Sequence, residues 1–301
     1  MSRYRTTLFS RIFITWSLIA FCSLGLHSAC KEKQPPSKTH SQDIQIIQRA
    51  SIPANPDDPV WQQVPTSQIE LLLQDLVEPR QMTKTTTALH VQALSDGKEL
   101  AVRLQWKDAS KNDLPGAARF FDACAIQFPT NSESGTPDPQ MGQAHRPVEI
   151  TYWRADWQAS VDGRKDSLQA IYPRATVDHY PYQAAPLQGN PAQQQAMALR
   201  YAPARKLQNH IGSGPRSQPV QELIASGPGT LQPATTSFSS GKGIWQNKQW
   251  SVVLKRPLPA KLAKHKHRDY IAFAIWDGQS REVGSRKMRT GWLSIILKVS
   301  P

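Results

Sequence analysis

Cysteine is nearly absent from this chain. It has three, Cys22, Cys30 and Cys124. The first two fall in a leader-like N-terminus, so only Cys124 is left for a folded body. Without Cys30 no intramolecular disulfide framework is possible. No Cys-x-x-Cys-His run occurs, which excludes covalent haem attachment, and no four-Cys set occurs for an iron–sulfur cluster. The Gly-x-Ser-x-Gly elbow and the His-Glu-x-x-His helix are also missing, so no hydrolase signature is visible. Long apolar runs are scarce: Ile12 to Leu26 is short for a membrane-spanning helix, and no second long run follows. Glycine, at 16, is outnumbered by proline, at 24. Proline is excluded from helix interiors and central strands, which favours short elements joined by long, ordered loops.

Acid is the other shortage. With 23 Asp and Glu against 36 Lys and Arg, the formal charge is +13. Such a surplus suits a nucleic acid, an anionic surface or an acidic protein partner. The bases are scattered, however, and the aromatics sit in apolar strand-like runs, not on a stacking face. Nucleic acid is therefore disfavoured.

The first 29 residues carry Arg3, Arg5 and Arg11 and no acid, then the apolar stretch, then Ser28-Ala29 before Cys30. This is the layout of a secretory signal peptide. The Ser-Ala-Cys junction resembles a bacterial lipoprotein processing site, although His27 stands where an apolar residue is usual. The expected organisation is a signal peptide over 1–29, a polar tether over 30–50 with a lipid anchor at Cys30, and one domain over 51–301. Ordinary cleavage that leaves Cys30 free is the alternative.

Within the domain, runs alternate or are rich in β-branched and aromatic residues. Leu89–Leu94 and Glu99–Trp106 flank Asp96-Gly97, a strong hairpin signal. Ala123–Phe128, Val148–Trp153, Trp250–Lys255, Tyr270–Trp276 and Trp292–Val299 read as further strands. A second hairpin turns at Asn247-Lys248. Short helices are expected at Thr66–Leu76 and Val220–Ser226. The span 154–240 is poor in strand patterns, and part of it is expected to order against the rest. The fold class that follows is all-β, an antiparallel sandwich with long irregular loops and a few short helices.

Chemistry is harder to find. His265-x-His267 sits among lysines, which oppose metal binding. Asp156, Asp162, Asp166 and Asp178 are scattered and give no acid–base geometry. Taken alone, Met141 before Gly142 is a loop-edge packing residue, and Lys287 is a surface charge.

Several blocks, in order, resemble the haem b subunit family of ethylbenzene dehydrogenase and related molybdenum enzymes, such as chlorate reductase, selenate reductase and dimethyl sulfide dehydrogenase. They include Pro59-Val60-Trp61, Val91–Leu94 with Gly97-Lys98-Glu99, Asp122–Pro129, Trp153–Gln158, Pro219–Ile224, Gly229-Thr230-Leu231, Trp250–Val253 and Trp276-Asp277-Gly278. The resemblance implies a β-sandwich holding one noncovalent haem b between a Met and a Lys. The matching positions are Met141, before Gly142 and Pro147-Val148, and Lys287, in the loop after Trp276-Asp277-Gly278. Lys255 is the competing lysine. It also implies an electron-transfer subunit, not a catalytic one. The implied partners are a molybdopterin catalytic subunit with an iron–sulfur subunit, or a c-type cytochrome. The lipid anchor departs from the soluble periplasmic members, and Cys124 stands where a small apolar residue is common. The runner-up reading is a haem-free sandwich that binds carbohydrate or protein, with Trp153 and Trp157 as an exposed platform.

Overall fold

A computed structural model describes residues 43–130, 135–165, 172–174, 187–203, 216–263 and 268–298. The leader, Cys30, Asp166, Asp178 and the His265/His267 pair lie outside them.

The described residues include fourteen strands, which form two stacked layers that share one strand. The first layer runs β10 (Ser240–Gln246), β11 (Gln249–Pro257), β5 (Glu99–Lys107), β4 (Ala88–Ser95), β1 (Ile44–Gln48), β14 (Leu293–Lys298) and β12 (Arg268–Trp276). The second continues from β12 through β6 (Ala123–Pro129), β7 (Val148–Arg154), β8 (Val220–Ala225) and β9 (Gln232–Pro233). Short strands complete it: β2 (Ser67–Glu70) on β4, and β3 (Leu72–Leu73) on β13 (Met288–Arg289), which pairs β12. β12 changes layers midway. Its first half, to Ile271, pairs β14, and its second half, from Ala272, pairs β6.

The two hairpins stand as read. Gly97 takes φ 88 in the first turn, and Asn247 and Lys248 take φ 53 and 57 in the second, the left-handed pair that a two-residue hairpin requires. The strand runs were also read correctly to within a few residues. Three expectations need correction. Ser67–Glu70 and Leu72–Leu73 are strands, not part of a helix over Thr66–Leu76. Val220–Ala225 is strand β8. The antiparallel rule has one exception, β1, which runs parallel to both β14 and β4. β1 also lies inside the span assigned to the tether, with Ile44 and Ile46 buried. The sandwich therefore starts at least by Ile44.

The main core fills the space between the layers. Period-two alternation turns Cys124, Ile126 and Phe128 of β6 and Ile271, Phe273 and Ile275 of β12 inward, onto Leu104, Val252 and Leu254. Trp106, Trp153 and Trp250 meet there, with ring centroids 5.0 to 6.5 Å apart in one stacked and two edge-on contacts. The first layer is covered on its outer face too. A short 3-10 turn, Pro59–Gln63, lays Trp61 over Leu94, Ala101 and Val253. That second covering is why the outward positions Leu94, Ala101 and Val253 are apolar as well.

Among the described residues, the long span after β7 holds two helices, α1 (Ala155–Val161) and α2 (Pro191–Tyr201). Asn190 caps α2 by accepting from the Gln193 amide, and Pro191 fits its first turn. A third helix, α3 (Ala260–Ala263), buries Leu262.

Candidate functional site

The outer face of the second layer is built differently from its inner face. The outward positions of β6 and β12 are small: Ala123 and Ala125 on one, Ala272 and Ala274 on the other, with Ala274 opposite Ala125. Ile150 and Tyr152 of β7, Leu223 of β8 and Trp276 surround them. Two loops roof this shallow floor. Between floor and roof lies a cavity of about 440 Å³, inside the roughly 300–1,000 Å³ typical of small-molecule and cofactor sites.

The first roof loop carries Met141. It is pinned at three points. The Trp292 indole donates to the Pro137 carbonyl at 2.6 Å, the Gln127 amide donates to the Pro139 carbonyl at 3.1 Å, and the Gly227 amide donates to the Met141 carbonyl at 2.9 Å. Met141 has φ 71, a left-handed conformation that costs a non-glycine residue roughly 1–2 kcal/mol. Such strain persists only where the surroundings enforce it. Gly142 follows at φ 79, and a Cβ there would meet the Arg146 and Ala225 carbonyl oxygens at 2.9 and 3.0 Å. Only glycine lets the loop approach β8 this closely.

The second roof loop runs from Asp277 to β13. The Gln74 amide holds it from the side, donating to the Ser285 carbonyl at 3.0 Å, and the Ser285 hydroxyl donates to the Pro79 carbonyl. Buried Glu282 accepts from the Gln81 amide at 2.8 Å, the Thr85 hydroxyl at 2.6 Å and the Asp277 amide at 2.9 Å. Burial pushes its carboxyl up to about 7. β13 then fixes Lys287 at the cavity wall, because Met288 pairs with Ile275 on one side and Leu73 on the other.

Met141 and Lys287 thus line one cavity, from two separate loops. Lys287 is not the plain surface charge that its local sequence suggests. Among the described residues its Nζ has no hydrogen-bond or ion-pair partner and lies 5.0 Å from the Trp276 ring centroid. Desolvation pushes its pKa down to about 8, and the nearby Arg289 adds to the shift. Lys255 is elsewhere, on β11, ion-paired with Glu99 at 3.1 Å.

Arg154 and Arg289 also line the cavity. Arg154 is doubly bonded to Asp156 at 2.7 and 2.8 Å, which accounts for one of the scattered aspartates. Cys124 is fully buried on the inner face and packs like a small hydrophobe. The sugar-platform idea fails on burial. Trp153 is 0% exposed, and Trp157 is 4% exposed, beneath the Arg154 and Arg216 guanidinium groups.

The sequence reading missed the alanine floor, Trp276 beneath Lys287, and Gln74. The alternation in Ala-Cys-Ala-Ile-Gln-Phe carries the first signal, since Ala123 and Ala125 alternate with the inward Cys124, Ile126 and Phe128. The other two need the fold.

Comparison with known proteins places the chain in a family. The family profile described as ethylbenzene dehydrogenase matches residues 58–288. A protein of Haloferax mediterranei named as a respiratory nitrate reductase heme subunit is 23% identical over 80% of this chain and 67% of its own length. The chlorate reductase subunit gamma of Ideonella dechloratans is 26% identical over 76% and 73%. The dimethylsulfide dehydrogenase subunit gamma of Rhodovulum sulfidophilum is 25% identical over 80% and 74%. With more than two thirds of its length matched in one continuous block that spans both roof loops and the floor, the chain belongs to the ethylbenzene dehydrogenase family.

Proposed function

We propose that this chain is an electron-transfer subunit of a molybdenum oxidoreductase complex, that it holds one noncovalent haem b in the cavity, and that Met141 and Lys287 are the axial ligands. The carrying observation is the convergence of a thioether and a partnerless, desolvated amine on one apolar cavity. The subunit names of the relatives support the same reading.

The residues present fit the group. The alanine floor leaves room for a flat macrocycle, and Tyr152 and Trp276 offer aromatic walls. Arg154, paired with Asp156, and Arg289, 3.7 Å from an Asp75 oxygen, present guanidinium groups at the cavity wall that could also face the acidic edge of such a molecule. Bound haem supplies one-electron chemistry. Met141 contributes a soft, neutral sulfur, which favours the reduced metal and raises the potential. Lys287 must give up its Nζ proton to ligate, and its surroundings have already lowered that cost. If Met141 and Lys287 both held the iron, no position would be left for substrate, and the role would be electron carriage without bond chemistry. The partners follow from that role: a molybdopterin catalytic subunit with an iron–sulfur subunit, or a c-type cytochrome. The basic surface would favour an acidic partner.

Export through residues 1–29 and lipidation at Cys30 belong to the same proposal and would place the chain in the periplasm, at a membrane surface. No helix among the described residues is long and apolar enough to cross a membrane.

The test is an absorption spectrum of the haem-supplied protein, oxidised and then reduced. A sharp reduced α band, weakened in both Met141→Ala and Lys287→Ala, is expected. Weakening in Lys255→Ala alone would move the lysine assignment. A folded protein with no Soret band would overturn the haem reading and leave a binding module.

A further inference from the structure

Away from the cavity, three aspartates from three separate segments converge. Asp108 follows β5, Asp122 precedes β6, and Asp277 follows β12. One carboxylate oxygen of each lies within 4.8 Å of the other two. Asp122 is fully buried and Asp108 is 7% exposed. None of the three has an ion-pair partner among the described residues, in a chain with an excess of basic side chains. The Asp108 Oδ2 is buried and accepts no hydrogen bond. Buried anions without a countercharge are costly.

We propose that Asp108, Asp122 and Asp277 bind a structural divalent cation of the calcium class. The donors are all hard oxygens, which excludes a soft-metal site. The three oxygens are close enough together for a single ion to touch all of them, and calcium accepts such carboxylate-rich, irregular sets more readily than magnesium, which demands a near-ideal octahedron. The loop after β5 carries oxygen-bearing side chains at alternate positions, Asp108, Ser110 and Asn112, the sequence spacing of the first ligands in calcium loops. Gly278 lets the two loops meet, because a Cβ there would fall 2.6 Å from Asn112 Cβ and 2.4 Å from the Phe120 carbonyl oxygen.

Neutralisation by protons is the competing account. Burial pushes the Asp122 carboxyl up to about 7 and the Asp108 carboxyl up to about 6, each aided by a neighbouring carboxylate. A shared proton would relieve one charge and leave Asp277 uncompensated. Asp122 already accepts from the Gly278 amide, the Asn112 amide and the Trp250 indole, so its remaining lone pair can face the ion. Lys111, Arg119 and Arg281 line an adjoining depression of about 230 Å³. Their charge would slow cation entry, but none of them forms an ion pair with the cluster, and Lys111 pairs with Asp113 instead.

The site staples the start of the Lys287 loop to the sandwich. It is tested on the full chain, stripped with a chelator. Calcium is then titrated by calorimetry, and terbium is titrated with tryptophan excitation, since the Trp250 indole donates to Asp122 at 2.9 Å. Saturable uptake, a raised melting temperature, and sensitised terbium emission that calcium displaces are expected. Asp277→Asn should weaken calcium by roughly tenfold or more, because carboxylate count sets affinity in such sites. No heat and no emission from the folded wild-type protein at millimolar calcium would overturn the proposal. So would wild-type affinity in both Asp277→Asn and Asp108→Asn. Under the shared-proton account, metal has no effect and Asp108→Asn stabilises the protein at neutral pH.

Discussion

The two faces of strands β6 and β12 make opposite use of the same backbone. Inward, they present Cys124, Ile126, Phe128, Phe273 and Ile275 to a packed core. Outward, they present Ala123, Ala125, Ala272 and Ala274, and a cavity is left above them. Period-two alternation therefore separates stability from function within single strands. One face holds the sandwich together, and the other holds space open.

The largest expected contrast comes from one substitution on each face. Phe128→Ala should cost roughly 3–5 kcal/mol in urea unfolding, as a buried aromatic removed from a core does. Ala274→Leu should abolish haem uptake yet shift the unfolding of haem-free protein by less than about 1 kcal/mol, because it fills space and does not create a void. If both cost the same stability, the outer face is core, and the distinction is lost.

Gly142→Ala comes next. Its Cβ meets two carbonyl oxygens, and its φ is left-handed. A loss of roughly 2 kcal/mol is expected, together with a weakened α band in the haem-supplied protein. An unchanged spectrum would show that the Met141 loop need not hold its position.

The smallest effect concerns pH. In haem-free protein Lys287 has a pKa of about 8, below the ordinary 10.5. The unfolded chain binds this proton more tightly. Stability should therefore be lowest below about pH 8 and rise as pH climbs toward 10.5. Unfolding of wild type and Lys287→Met at about pH 7 and about pH 10 isolates it. An equal pH slope in both would mean that the amine is solvated after all.

How much could be read beforehand follows from how local each signal is. The β4–β5 and β10–β11 hairpins were legible because their turns sit between their strands in sequence. The run around Ile69 to Leu76 was misread because its clustered apolar residues satisfy a helical face as well as two short strands. β8 was misread for the same reason of brevity. β1 was invisible because its partners, β4 and β14, supply the only reason for its being a strand. Met141 and Lys287 emerged through family resemblance. Their residue types are unremarkable until the fold sets them at one cavity. The aspartate cluster left no trace, since its members come from three separate segments.

That placement of β1 bears on the order of events in making the molecule. Ile44 lies beside Ile295, so nearly the whole described chain must exist before this pairing can close. Folding rates fall as such distant pairings multiply. Synthesis delivers β1 first and its β14 partner last. β4 can pair one edge of β1 early, but until β14 arrives the other edge of an apolar strand waits unsatisfied, the condition in which chains associate wrongly. The sandwich is consequently expected to fold late and slowly, and to depend on whatever shelters it meanwhile.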